Sequence, residues 1–148
     1  MPTESRPFDY STALRAYLSQ DLSADERASA RTFVARQQLP RAVAAAGWTF
    51  LRGQSSAPEP GHVTLIVGVA PWSDQDWEFL GALHRQKGTE ARICVFDIDD
   101  CAEPGVLEQY VPGVAPPMAT PVVAEFQGTR LLTSLEGEAA QRWLSKST

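Results

Sequence analysis

A chain of 148 residues with 43% hydrophobic and 21% charged residues has the composition of a single globular domain large enough to bury a core. Its net charge of -5 argues against a nucleic-acid binder, which would turn a basic face toward phosphates. Residues 1–60 hold seven Arg and six acidic residues, a balance of +1, while residues 61–148 hold six basic and twelve acidic residues, a balance of -6. The acidic excess therefore belongs to the second part. Met1-Pro2-Thr3-Glu4-Ser5-Arg6 is polar and no apolar core follows it, so no leader is expected. The longest apolar run, around 63–72, is too short to span a bilayer. Cys94 and Cys101 form no metal-ligand pattern, which points to a cytoplasmic protein with reduced thiols, no metal and no cofactor.

Residues 1–7 read as a loose terminus. Phe8, Leu14, Tyr17 and Leu18 recur at helical spacing and predict a short helix over 9–20. Ser23-Ala24-Asp25-Glu26 has the form of a capping box, in which Ser23 caps a helix and Glu26 reaches back to it. That helix is expected to continue to Gln38, with Ala28, Phe33, Val34 and Leu39 as candidate buried positions. Pro40 should end or kink it, because proline lacks an amide donor and clashes with the preceding turn. A short helix over 41–46 then stops at Gly47. Trp48-Thr49-Phe50-Leu51 alternates and favours a strand, and 53–61 reads as a loop. Residues 1–60 are thus expected to be an N-terminal helical extension packed on the core, ahead of a second domain over 61–148. The extension reads as a layer covering a sheet or as a partner-binding arm. Its apolar residues favour the layer.

The run 63–69 is apolar on both faces, as a central strand covered on both sides would be. A helix starting near Ser73 or Asp74 carries Trp77, Leu80, Leu83 and His84 on one stripe and ends at Gly88. Asp74, Asp76 and Glu78 lie in its first turns, where carboxylates meet the positive end of the helix dipole. Residues 92–98 form the next strand, and Val106, Leu107 and Tyr110 suggest a short helix from about Pro104. The Pro- and Gly-rich segment 111–119 is irregular. Residues 122–126 and 130–134, joined by Gln127-Gly128-Thr129, read as a hairpin. A final helix over 137–146 turns Ala140, Trp143 and Leu144 inward.

Over roughly 61–146 this order resembles the thioredoxin-like family. The features that carry the resemblance are an apolar strand, Trp72 before a helix, Asp97-Ile98-Asp99-Asp100-Cys101 after the second strand, Thr120-Pro121 before a hairpin, and a closing helix. It implies an α/β fold, a central mixed sheet flanked by helices, with a cis bond before Pro121. In that family a Cys-x-x-Cys dithiol follows the Trp, its thiolate stabilised by the helix N-terminus. Aligned on Trp72, the two positions are Ser73 and Asp76, so dithiol exchange is not expected. Ser73 without an adjacent base is a poor nucleophile. Asp76 reads as a structural cap, with a catalytic acid as the other reading.

The leading expectation is a non-catalytic protein-binding or chaperone-like module. A groove that would hold an extended polypeptide is built from Trp72, Ser73, Asp74, Asp76, Pro117, Met118, Thr120 and Pro121. A homodimer is one form the protein partner could take. The alternatives are a monothiol redox or peroxide-handling protein using Cys101, and a structural subunit docked through its N-terminal helices. Cys94, in an apolar strand, reads as a buried inert thiol. Carboxylates beside Cys101 would raise its pKa and work against an activated thiolate.

Overall fold

The computed structural model describes residues 8–52, 63–87, 91–100, 110–113 and 119–146. The expected short helix near Pro104, and the candidates Cys101, Pro117 and Met118, lie outside them. Three helices lead the chain: α1 (Ser11–Leu18), α2 (Ala24–Ala28) and α3 (Ala30–Ala45). β1 (Thr49–Leu51), β2 (Val63–Val69), α4 (Asp74–Lys87) and β3 (Arg92–Asp97) follow, and a 3-10 turn covers Ile98–Asp100. β4 (Val122–Gln127), β5 (Arg130–Glu136) and α5 (Glu138–Lys146) complete the described fold.

The strands form one sheet in the order β1-β3-β2-β4-β5. β2 lies at its centre, parallel to β3 and antiparallel to β4. The parallel pair is joined through α4, as a crossover between parallel strands requires. β4 and β5 make the expected hairpin, with a register shift at Glu125/Phe126. Strand order, pairing and the cis bond between Thr120 and Pro121 are those of the thioredoxin-like fold that the sequence resembles.

The N-terminal helices depart from expectation at one point. The capping box forms as read: Ser23 Oγ accepts the Glu26 N–H at 3.1 Å, and Glu26 Oε1 accepts the Ser23 N–H at 2.9 Å. The helix it opens breaks at Ser29 instead of Pro40. Ser29 Oγ donates back to the Asp25 carbonyl at 3.0 Å, a bond that competes with the helical ladder. α3 then runs straight through Pro40. An interior proline costs about 3 kcal/mol. Val34, Leu39 and Val43 flank it and are at most 1% exposed. Fully burying three such side chains contributes about 1.5–3 kcal/mol each, which outweighs the proline penalty. The helix ends in a Schellman motif: the Gly47 N–H bonds to the Ala44 carbonyl and the Trp48 N–H to the Val43 carbonyl, with Gly47 at φ 81. That turn leads through Trp48 directly into β1 at Thr49.

Two apolar clusters sandwich the sheet. On one face Leu65, Val67, Val69, Ile93, Val95 and Val123 pack with residues of α3, α4 and α5. On the other, Ile66, Cys94, Phe96, Val122, Ala124 and Phe126 pack with Tyr110 and Val111. Cys94 is fully buried there, as expected of an inert strand thiol. Trp143, expected to face inward, packs only at the margin of the first cluster. No helix among the described residues is long and apolar enough to cross a membrane.

The second face closes over Gly68 in the middle of β2. A Cβ there would lie 2.4 Å from the Phe96 ring and 2.7 Å from Val122 Cγ2. Phe96 is itself held against Tyr110, ring centroids 5.0 Å apart. Gly68→Ala is therefore expected to destabilise the fold by about 1–3 kcal/mol, the usual cost of overpacking, measured by urea denaturation. An unchanged midpoint would show that the Phe96 ring yields freely.

Candidate functional site

The rim at the C-terminal end of β2 is built by a tight turn. The Ser73 N–H donates to the Ala70 carbonyl at 3.0 Å, and the Ser73 carbonyl accepts from the Asp76 N–H at 3.1 Å and the Trp77 N–H at 3.3 Å, opening α4. Ser73 Oγ also lies 3.4 Å from the Asp76 nitrogen. Trp77 Nε1 donates to the Pro71 carbonyl at 2.8 Å inside the protein. These bonds bury Pro71 and Trp77 and leave Trp72 outside, 55% exposed.

Asp76 turns the other way. It is 1% exposed, and its Oδ2 accepts the Ala70 N–H at 2.8 Å. The side chains of Thr120 and Ser73 favour its ionised form. Burial pushes the Asp76 carboxyl above its usual range, and Ala70, Thr120 and Ser73 oppose that push without cancelling it. The end of β2, the first turn of α4 and the Thr120-Pro121 step thus meet at one carboxylate.

The Thr120-Pro121 step is fixed from behind. The Pro121 carbonyl accepts the Gly137 N–H at 2.8 Å, and Ala119 packs so closely that a Cβ on Gly137 would lie 2.8 Å from its own Cβ. Gly137 has φ 57, so glycine suits the position twice over.

The N-terminal helices reach the same rim. Asp74 accepts from Tyr10 Oη at 2.9 Å and pairs with Arg31 at 2.6 Å. Burial and the neighbouring Asp74 hold the Tyr10 hydroxyl above its usual pKa. Arg36 pairs with the buried Asp97 at 3.1 Å and with Asp99. Tyr10 also packs on Trp77, ring centroids 4.7 Å apart. Phe8 and Trp48 surround the half-buried His84, at 6.1 and 5.6 Å.

Of the residues expected to form a binding face, Trp72, Ser73, Asp74 and Thr120 lie together at this rim, and each is at least partly accessible. Asp76 and Pro121, expected beside them, are buried. Asp76 is drawn inward by its donors, and Pro121 passes directly into β4. Tyr10, Arg31 and Arg36 were not foreseen, since their partners lie 64, 43 and 61 residues away along the chain and leave no local pattern.

Asp76→Ala is expected to cost about 1–3 kcal/mol, because the buried Ala70 N–H loses its acceptor. Asp76→Asn keeps an acceptor and removes the buried charge. The wild-type carboxyl has a folded pKa above its unfolded value, so folding is penalised when it is ionised. That penalty is full above the folded pKa and vanishes as pH falls to the unfolded value. The stability of the wild type relative to Asp76→Asn should therefore rise as pH is lowered from neutrality, measured by thermal melts of both proteins. A relative stability that falls would reverse the assigned direction.

No protein-family model and no curated protein matches the chain. Among solved structures, it is similar to ERdj5 form II, with 18% identity and a TM-score of 0.46 over 71% of this chain and 14% of that one. It is also similar to Deadhead, the germline-specific thioredoxin of Drosophila melanogaster, with 17% identity and a TM-score of 0.43 over 78% of this chain and 91% of that one. The chain thus spans 14% of the length of the first of these. By its own strand order and its cis Thr120-Pro121 bond, it has a thioredoxin-like fold, with Ser73 and Asp76 standing where the resemblance places a dithiol.

Proposed function

We propose that the chain is a non-catalytic, thioredoxin-like protein-binding module that holds an extended segment of a partner, in a chaperone-like way, at the rim of Trp72, Ser73, Asp74 and Thr120. The expectation for Pro117 and Met118 falls outside the described residues. The observation that carries the reading is Trp72, a large aromatic left 55% exposed by a turn that buries Pro71 and Trp77. Aromatic residues of this kind anchor interfaces. Two features support recognition over chemistry. Ser73 is committed to the start of α4. The Asp76 carboxylate is buried and bonded to the Ala70 N–H, and Ser73 Oγ accepts from the Asp76 N–H at 3.4 Å, which does not pose Asp76 as a base for Ser73. The cytoplasm suits a chain whose cysteines form no redox motif.

Trp72→Ala should reduce capture of a co-purifying protein partner at least tenfold while leaving the melting temperature nearly unchanged, because the side chain is largely in water. Leu132→Ala, which also removes an exposed apolar side chain, should leave capture intact. Full capture by the Trp72 variant would move the interface elsewhere, with the helical segment 9–46 as the next candidate. In an insulin-reduction assay with dithiothreitol as electron source the protein should show no activity above background. Turnover comparable to a thioredoxin would overturn the non-catalytic reading.

A further inference from the structure

The segment ahead of α2 is attached unevenly. No residue of α1 is buried. Just before it, Phe8 and Tyr10 pack on the body of the protein, one residue apart. The Phe8 ring centroid lies 4.9 Å from Trp48, 6.1 Å from His84 and 6.4 Å from Trp77. Tyr10 covers Trp77 at 4.7 Å and donates its hydroxyl to Asp74 at 2.9 Å. Asp9, exposed between them, accepts the Ser11 N–H at 2.9 Å and the Ser11 hydroxyl at 2.6 Å. The shape of this stretch is therefore set by its own neighbours, and it carries that shape with it.

The floor beneath is fixed by other bonds. Trp77 Nε1 donates to the Pro71 carbonyl at 2.8 Å, and the Trp48 N–H to the Val43 carbonyl at 3.0 Å. His84 stands on α4 with Trp77. None of these ties involves Phe8 or Tyr10, so the floor keeps its form when they leave. The fit of the two rings is also incomplete. Trp48 is 8% exposed, and its Nε1 has no hydrogen-bond partner among the described residues. A buried indole N–H ordinarily finds an acceptor. The present occupant leaves that donor unserved.

We infer that residues 8–18 form a reversible strap, and that Trp48, Trp77 and His84, with Asp74 at their end, form a groove for a segment carrying two aromatic side chains one residue apart. The chain fills this groove with its own Phe8 and Tyr10, so the closed strap is an autoinhibitory contact. The second aromatic position is selected by its hydroxyl, which meets Asp74. Opening exchanges ring contacts and one hydrogen bond for water, and no covalent bond changes. The strap opens ahead of α3 because it buries Tyr10 alone, whereas α3 buries six residues. Asp74 stands two positions after Trp72, so the groove ends at the rim. The groove does not depend on the recognition role proposed for that rim.

The test is nitrogen-15 NMR of the full chain, read at the Trp48 and Trp77 indoles, with a synthetic peptide of residues 6–20 as the probe. In Phe8→Ala/Tyr10→Ala the peptide should shift both indole signals saturably. Wild type should take it at least about tenfold more weakly, because only the open fraction offers the groove. A peptide with alanine at both aromatic positions should shift neither protein. Should the double variant fail to fold, Phe8→Ala takes its place with the same expectations. On the wild type, the amides of Leu14, Ser19 and Gln20 should exchange at least about tenfold faster than those of α3 between Val34 and Val43. Tyr10→Phe should speed the first group and leave the second unchanged. The inference is overturned if the strap-weakened variant takes no peptide up to about millimolar concentration, the scale of a tethered segment. It is equally overturned if wild type binds as well as the variant, if the alanine peptide binds as well as the original, or if Tyr10→Phe speeds exchange in α1 and α3 alike. Each reading is made without a rim partner, so failure of the rim's recognition role would leave the result standing.

Discussion

The bond from the Ala70 N–H to the buried Asp76 carboxylate is the tie on which the rim depends. A strand that leaves a sheet carries an amide with no ladder partner, and leaving such a group buried and unpaired costs about 1–3 kcal/mol. Here the acceptor comes from the first turn of the next helix. The Thr120 side chain favours the ionised form of the same carboxylate, so the approach to β4 and the end of β2 come together there. One group thereby does locally what the β2–β4 ladder does along its length. The arrangement buries a carboxylate, and the raised pKa of Asp76 expresses that cost.

A second set of polar contacts lies above this tie, but it is of a different kind. Arg31 and Asp74 are both more than half exposed, and pairs of that sort are screened by solvent and contribute little to stability. α3 is held instead by Val34, Ala35, Leu39 and Val43, which are at most 1% exposed. The ion pairs fix where α3 lies along the strand ends. Arg36 is the exception, because it meets the buried Asp97. That carboxylate also accepts the Asp99 N–H at 2.8 Å, so its charge is matched on both oxygens.

The fold was legible in the sequence because its signals are local. The two-sided apolar run 63–69, the Ser23–Glu26 capping box and the turn at Gly128 each need only neighbouring residues. Pro40 was misread for the same reason. The local rule counts a lost amide and a clash, and it cannot see that the residues on either side of the proline are buried against a sheet. The site was half legible. Alignment on Trp72 placed Ser73 and Asp76 at the helix start, yet whether a first-turn carboxylate faces water or the interior depends on what lies behind it. Here that is an Ala70 amide and the Thr120 side chain, the latter 44 positions further along the chain. Tyr10 and Arg31 were invisible, because an exposed helix residue and its distant carboxylate share no periodicity.

The exposure of Trp72 follows from the turn that carries it. Ala70 is fixed through its N–H and its carbonyl, Pro71 through its carbonyl, and Ser73 through its N–H and its carbonyl. Between Pro71 and Ser73 the backbone has little freedom, and the buried side chains of Pro71 and Trp77 occupy the inward direction. The indole is therefore directed outward by a rigid frame. An aromatic held in this way loses little conformational entropy when a partner covers it, so more of its burial energy is left for affinity. The rim thus sets an exposed apolar anchor, Trp72, beside the half-buried Thr120.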